Sequence, residues 1–320
     1  MPNRLDCRVV TPRARVIIDN DFSGDPDDLF QTAHHLLSPS VEIPLIVPSH
    51  LSAGDPWDPS TQQAANAEKV VRKLLSVMGV ENDLTVIRGA ETAIPNIDTP
   101  HDTAAARAII AEANRTDTDL PLYYCAGAGL TDLASALLIE PNIAKRMTLV
   151  WIGGAEYPGL AEPPPGADSI EYNLRIDIPA AQVVFNSDMP IWQVPRNVYR
   201  QVLMSYAELQ VSIGQHGALG RHLQDAIEAV MTWTEKGNFH LGETYAMGDS
   251  PLVTLTALQS AFQPDPSSSF YVWHDRLAIR DDGSYGAKTN DEQIRVYTQI
   301  DNRLTFGDFF AKLKLYADRQ

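Results

Sequence analysis

The chain has 320 residues, 44% hydrophobic and 21% charged, the make-up of a globular protein long enough to bury a sizeable core. Its formal net charge of -16 argues against a phosphate-backbone partner, because no basic face is available to displace counterions, and it suits a cation site. No segment approaches the roughly 18 apolar residues of a membrane span, and the N-terminal arginines precede no apolar run. Cys7 and Cys125 stand in no metal or redox spacing, so a cytoplasmic protein with free thiols is expected.

The first element is Val16-Ile17-Ile18, which reads as a short buried strand. It enters a turn with five aspartates in ten residues: Asp19, Asp21, Asp25, Asp27 and Asp28, broken by Gly24 and Pro26. Leu29, Ala33, Leu36 and Leu37 follow at helical spacing, so a helix begins at Asp27 and Asp28. Five carboxylates on one strand-to-helix turn repel one another unless a cation neutralises them, and a hard divalent ion with oxygen ligands, Ca²⁺ or Mg²⁺, does so most simply. Taken singly, Asp27 or Asp28 serves equally well as a helix cap. Two look-alikes fail. The segment opens like an EF-hand loop, but Phe30 stands where the bidentate Glu belongs, and a strand precedes it. It also opens like a haloacid-dehalogenase-type phosphatase, but Gly248-Asp249 lacks the second acid expected soon after it.

Further along, Val41 to Val47 reads as a second strand ending at Pro48-Ser49-His50, and the polar loop from Leu51 to Ser60 is long enough for a lid. A helix is expected from Thr61 to Met78, closed by Gly79, then a third strand over Leu84 to Ile87 and a helix over Thr103 to Ala113. Leu122 to Cys125 is a fourth strand leading into Ala126-Gly127-Ala128-Gly129-Leu130-Thr131-Asp132 and another helix, and Thr148 to Ile152 a fifth. Repeated strand–turn–helix units imply an α/β fold, a mainly parallel sheet flanked by helices, with ligands beyond the carboxyl ends of the strands. The second half is less regular. A proline-rich loop spans Gly159 to Asp168, a helix opens at Asp177, and Pro190 to Val194 is a strand. Tyr206 to Glu235 is mostly helical, and Asp249 precedes a helix. Short strands near 270–280 and 294–299 and a helix from Thr305 finish the chain. With no repeat or linker, one domain over 1–320 is expected.

In this order the motifs resemble those of the nucleoside hydrolase family, the inosine–uridine preferring N-ribohydrolases. Asp19, Asp21, Asp27 and Asp28 are similar to its Asp-x-Asp…Asp-Asp turn, lengthened here by Ser23-Gly24-Asp25-Pro26. Ala128-Gly129-Leu130-Thr131-Asp132 resembles its Gly-x-Leu-Thr-Asn segment, Gly153-Gly154-Ala155 its Met-Gly-Gly stretch, Glu171-Tyr172-Asn173 its Glu-Phe-Asn segment and Asp249 its distal aspartate. The resemblance runs from Val16 to the end of the chain. It implies a Rossmann-like nucleoside hydrolase fold, a homodimer or homotetramer, and a role in purine or pyrimidine salvage. It also implies a Ca²⁺ held by Asp21, Asp28, the Thr131 carbonyl and Asp249. Asp21 would take a proton from water, Asp27 would hold a ribose hydroxyl, and Glu171 and Asn173 would bind hydroxyls toward the 5′ side. The implied reaction is Ca²⁺-dependent hydrolysis of the N-glycosidic bond of a small-molecule nucleoside or riboside. The alternative is a Ca²⁺-dependent sugar- or polyol-binding relative, or a divergent glycosyl hydrolase, on the same scaffold.

Three departures fall on the sugar rim and leaving-group side. Gly248 replaces the usual His, Ser49-His50 stands near the family's Asn, and prolines replace a Gly-Asn. His50 is therefore a candidate on the substrate side, and His50 or His240 with Tyr245 a candidate for helping the base depart. Trp57 and Trp233 are candidates to stack on it.

Overall fold

The computed structural model describes residues 9–259 and 268–320; Cys7 lies outside them. A seven-stranded sheet is built from β1 (Ala14–Asn20), β2 (Val41–Pro48), β3 (Leu122–Ala126), β4 (Thr148–Ile152), β5 (Ile191–Val194), and the later β8 (Phe270–Ile279) and β9 (Tyr285–Gln299). Its order is β2-β1-β3-β4-β5-β9-β8, parallel throughout except for the antiparallel β8–β9 hairpin at one edge. A separate two-stranded ribbon pairs β6 (Leu203–Ser205) with β7 (Thr244–Ala246).

The helices explain why the strands are apolar on both sides. On one face lie α1 (Asp27–Leu36), α2 (Gln63–Val77), α9 (Gly217–Lys236) and α11 (Asn302–Ala317), packed on Val16 and Ile18. On the other lie α3 (Ala104–Ala113), α4 (Thr131–Ile139) and α6 (Ile178–Phe185), packed on Ile17. Successive strand residues thus feed opposite cores, as the two-residue period requires. Three short helices, α5 (Tyr172–Ile176), α7 (Arg196–Tyr199) and α8 (Tyr206–Glu208), follow the proline-rich loop and β5, and α10 (Pro251–Val253) follows Asp249. Among the described residues no helix is long and apolar enough to cross a membrane.

Three boundaries differ from expectation. Leu84 to Ile87 forms no full strand; it runs beside β2 with one bridge, Val86 opposite Ile46, before Gly89 donates to the Pro48 carbonyl. The helical stretch after Tyr206 passes through a π-turn at Leu209–Gly214 and restarts at Gly217, whose φ of +69° favours glycine. The final hairpin is longer than the apolar pattern predicted, because the polar residues Lys288, Thr289 and Asn290 carry β9 beyond its pairing with β5, where β8 alone pairs with it.

β1 lies between β2 on one side and β3 on the other, parallel to both. The chain order reverses there, and a crevice opens beyond its carboxyl end. Asp21 stands at that opening.

Candidate active site

Asp21, Asp27 and Asp249 line a pocket of about 220 Å³ beyond β1, together with Asp25, Trp57, Gly127, Glu171, Tyr172, Asn173 and Tyr199. Carboxylate oxygens of Asp27, Asp28 and Asp249 lie within 4.8 Å of one another, and all three residues are buried. Neither acid-bearing helix uses these residues as a side-chain cap. Pro26 stands at the cap of α1 without a side-chain bond, and Ser250 does so at α10. Asp27 Oδ2 instead accepts the Asp249 backbone N–H at 3.1 Å, which ties the first acid turn to the distal one.

Among the described residues, the buried oxygens without a hydrogen-bond partner include Asp21 Oδ2, Asp28 Oδ2 and Asp249 Oδ2, and also Asp19 Oδ1. Orphaned buried carboxylate oxygens are costly unless a cation or a proton satisfies them. Their acidities report the same strain. Burial, then the charges of Asp249 and Asp25, push the Asp21 carboxyl well above its ordinary value. Burial and the charges of Asp249 and Asp21 do the same to Asp28. Burial raises Asp249 to about 7 and Asp25 to about 6. A set of hard, anionic oxygens with open lone pairs fits a hard divalent cation.

From the segment after β3, Gly127 and not Thr131 lines the pocket. Gly127 donates to the Asp19 carbonyl at 3.0 Å, which draws it against the acid turn. A Cβ there would stand 1.9 Å from Asp249 Oδ2. Thr131 is not among the residues lining the pocket, and its hydroxyl donates to Asp177 Oδ2 at 2.7 Å.

His50 is likewise placed elsewhere. It is buried, its Nδ1–H donates to the Leu51 carbonyl at 2.8 Å, and its Nε2 lies 2.9 Å from Thr131 Oγ1. With both nitrogens engaged it braces the loop after β2 against α4 and does not line the pocket. His240 is exposed beside Glu235 at 2.8 Å, also away from the acids.

Glu171 lies at the pocket but its carboxylate is already full. It caps α5, accepting from the backbone N–H of Asn173 and Leu174, from Gly154 N–H at 2.7 Å and from the Tyr199 hydroxyl at 2.8 Å. Four donors fill about four lone-pair sites, so Glu171 shapes the wall and a hydroxyl would have to displace one of them. Asn173 gives its amide N–H groups to the Ile152 and Gly127 carbonyls, leaving its oxygen for a ligand.

Gly248 now has a physical reason. A Cβ there would meet Asp27 Oδ2 at 3.1 Å and the Tyr199 ring at 3.3 Å, so Tyr199 takes the space a side chain at 248 would need. Burial and Glu171 hold the Tyr199 phenol far above its ordinary value, and its hydroxyl proton is given to Glu171 Oε1. The loop after His50 is fastened over this wall. Asp55 accepts from the Tyr172 hydroxyl at 2.8 Å, and Gln63 donates to the Ser52 and Asp58 carbonyls.

The raised pKa values of these carboxyls fix the sign of a pH effect. A carboxyl with a folded value near 7 and an unfolded value near 4 holds its proton more tightly when folded, so its stabilisation is complete below about pH 4 and is lost as pH rises through about 7. Asp19 adds to this, raised to about 7 by burial and by Asp132. In chelator, the melting temperature is expected to fall by several degrees between about pH 5.5 and about pH 8, at about 2–4 °C per kcal/mol, and calcium should restore it most at the higher pH. Thermal scans in buffered chelator check this; a melting temperature that rose with pH would contradict it.

Residues 16–317 match the family model of inosine-uridine preferring nucleoside hydrolases. No curated protein sequence matches the chain. Among solved structures, a plant nucleoside hydrolase superposes with a TM-score of 0.71 at 20% identity, over 95% of this chain and 99% of that one. A purine-preferring ribonucleoside hydrolase from Gardnerella vaginalis gives 0.70 at 18% identity, over 96% and 100%. An inosine-uridine preferring nucleoside hydrolase from Bacillus anthracis gives 0.65 at 16% identity, over 94% and 99%. At these identities the structural likeness speaks for the fold.

Proposed function

The chain belongs to the inosine–uridine preferring nucleoside hydrolase family, hydrolases of N-glycosyl bonds, and from that premise we propose that it cleaves ribonucleosides with a calcium ion in the acid pocket. The observation that carries the proposal is the set of partnerless, buried oxygens on Asp21, Asp28 and Asp249, of which Asp21 and Asp249 line a cavity of about 220 Å³. Those residues, with Asp27 and the Gly127 backbone beside them, would hold the ion. When bound, such an ion supplies a Lewis-acid centre that acidifies water and orients vicinal hydroxyls. Asp21 then accepts the proton of the attacking water, and Asp27 accepts a hydrogen bond from a ribose hydroxyl. The Asn173 oxygen receives a hydroxyl on the far side of the sugar. Breaking the N-glycosidic bond builds positive charge on the sugar ring, which the surrounding carboxylates stabilise. Position 248 offers the departing base no proton, so the reaction favours bases that leave readily.

Diol recognition sets a sharp expectation. A site built to bind a hydroxyl rejects the analogue lacking it, because its buried polar groups are left unpaired. Inosine and uridine should therefore exceed their 2′-deoxy counterparts in kcat/KM by about 10⁴-fold, read as sugar release. Equal rates for both series would remove the diol from the account. Calcium-dependent sugar binding with no release from any nucleoside would move it to a binding relative.

A further inference from the structure

The hydroxyl of Tyr172 is engaged far from its own helix. It donates to Asp55 Oδ2 at 2.8 Å, joining α5 to the loop after β2 across 117 positions of sequence. The other oxygen, Asp55 Oδ1, accepts the Trp57 backbone N–H at 3.0 Å. Tyr172 and Trp57 both line the acid pocket, while Asp55 is 4% exposed and stands behind them. One buried carboxylate therefore holds two walls of the pocket together. In the segment that Glu171-Tyr172-Asn173 resembles, Phe stands at the middle position, so the hydroxyl that makes this clasp is a departure of this chain.

Each wall also has support that does not pass through the clasp. The Arg175 guanidinium lies 5.3 Å from the Tyr172 ring centroid and pairs with Asp168 at 3.1 Å, which steadies the ring. Gln63 holds the base of the loop through the Ser52 and Asp58 carbonyls, and Trp57 packs on Trp233 of α9 with ring centroids 5.1 Å apart. Losing the hydroxyl would thus part the two walls and unfold neither. The sugar is what these walls enclose. Asn173, next to Tyr172, keeps its oxygen for a ligand, and Asp21 and Asp27 line the same pocket.

We propose that Asp55 is a positioning residue for the sugar: through Tyr172 and Trp57 it holds the loop after β2 against α5, and the clasped walls set how tightly the ribose ring is gripped. This rests on the ribonucleoside reading of the acid pocket, and the test separates the two. Tyr172→Phe removes one oxygen and keeps the ring, and the calcium-loaded full chain carrying it is compared with the parent. Amide hydrogen exchange over residues 51–60 should quicken several-fold, with the remainder of the chain unchanged. Binding of D-ribose, read by calorimetry, should weaken about tenfold, the range expected for a lost hydrogen bond to a carboxylate. KM for inosine should rise by a similar factor while kcat stays within about twofold. Asp55→Asn, whose amide oxygen still accepts from the hydroxyl, should retain most of the affinity. Combining Tyr172→Phe with Asp55→Ala should cost no more than Asp55→Ala alone. Unchanged exchange over residues 51–60, unchanged ribose affinity, or a loss carried by kcat alone would overturn the proposal. A parent that releases sugar from no nucleoside, with ribose binding weakened and exchange quickened in Tyr172→Phe, would uphold the clasp and refute the hydrolase reading. Sugar release by the parent, with exchange, affinity and KM all unchanged in the variant, would do the reverse.

Discussion

Gly127→Ala is expected to abolish calcium binding and hydrolysis while leaving the fold intact. The new methyl would stand 1.9 Å from Asp249 Oδ2 and 2.4 Å from its Cγ. Real atoms do not approach so closely, and the cheapest relief is to swing the Asp249 side chain aside. That movement removes an acid from the cluster with Asp27 and Asp28. A displacement of about 1 Å at a reacting centre costs about 100-fold in rate, and losing an anionic oxygen from a cation site adds to that. β3, which ends at Ala126, and its register with β1 are untouched, so the metal-free variant should melt no lower than the metal-free parent. Calcium calorimetry, sugar release and melting in chelator together check this. A variant with unchanged calcium affinity would mean that the Gly127–Asp249 contact is irrelevant to the site.

The second large effect is expected from Asp21→Ala. Asp21 Oδ2 is buried and partnerless, and its ionised form is opposed by burial, then by Asp249, Asp25, Asp55 and Asp19. With a cation present these charges are an attraction; without one they are mutual repulsion. The substitution should therefore act in opposite directions in the two states. Calcium affinity and turnover are lost together, and the metal-free protein at about pH 8 becomes more stable than the metal-free parent. Because Asp21 lines an open pocket, its truncation enlarges existing space and leaves no closed cavity to weigh against that gain. A destabilised metal-free variant, or one that binds calcium as the parent does, would show that Asp21 is not placed as a ligand and base.

The acid turn was legible because its physics is local: three branched apolar residues make a strand, and five carboxylates in ten residues demand a counter-charge. The parallel sheet was legible for a similar reason, its strands being apolar on both faces. Other parts of the site depend on what tertiary packing does with ordinary residues. Gly127 has no side chain to advertise a role; its importance is the space it leaves for Asp249. Glu171 shows the reverse. Its lettering suggests a free carboxylate, and only the packing of Gly154 and Tyr199 around it fills its lone pairs. His50 and Thr131 lie at strand and helix ends where a ligand was expected, yet they hydrogen-bond to each other and serve the scaffold. The packing of Trp57 on Trp233 was not legible, because the two are far apart in sequence and meet only when the loop packs on α9. Family resemblance located the distal Asp249; the reason for Gly248 beside it came from the Tyr199 ring.

Sugar release from inosine and uridine, measured on one preparation with calcium, after chelation, and after calcium is returned, tests the central claim most directly. The account predicts turnover with calcium, its loss on chelation and its recovery on return, with the 2′-deoxy counterparts inert throughout. Release that continued unchanged in chelator would contradict it, because the partnerless oxygens of Asp21, Asp28 and Asp249 would then have no cation to answer to.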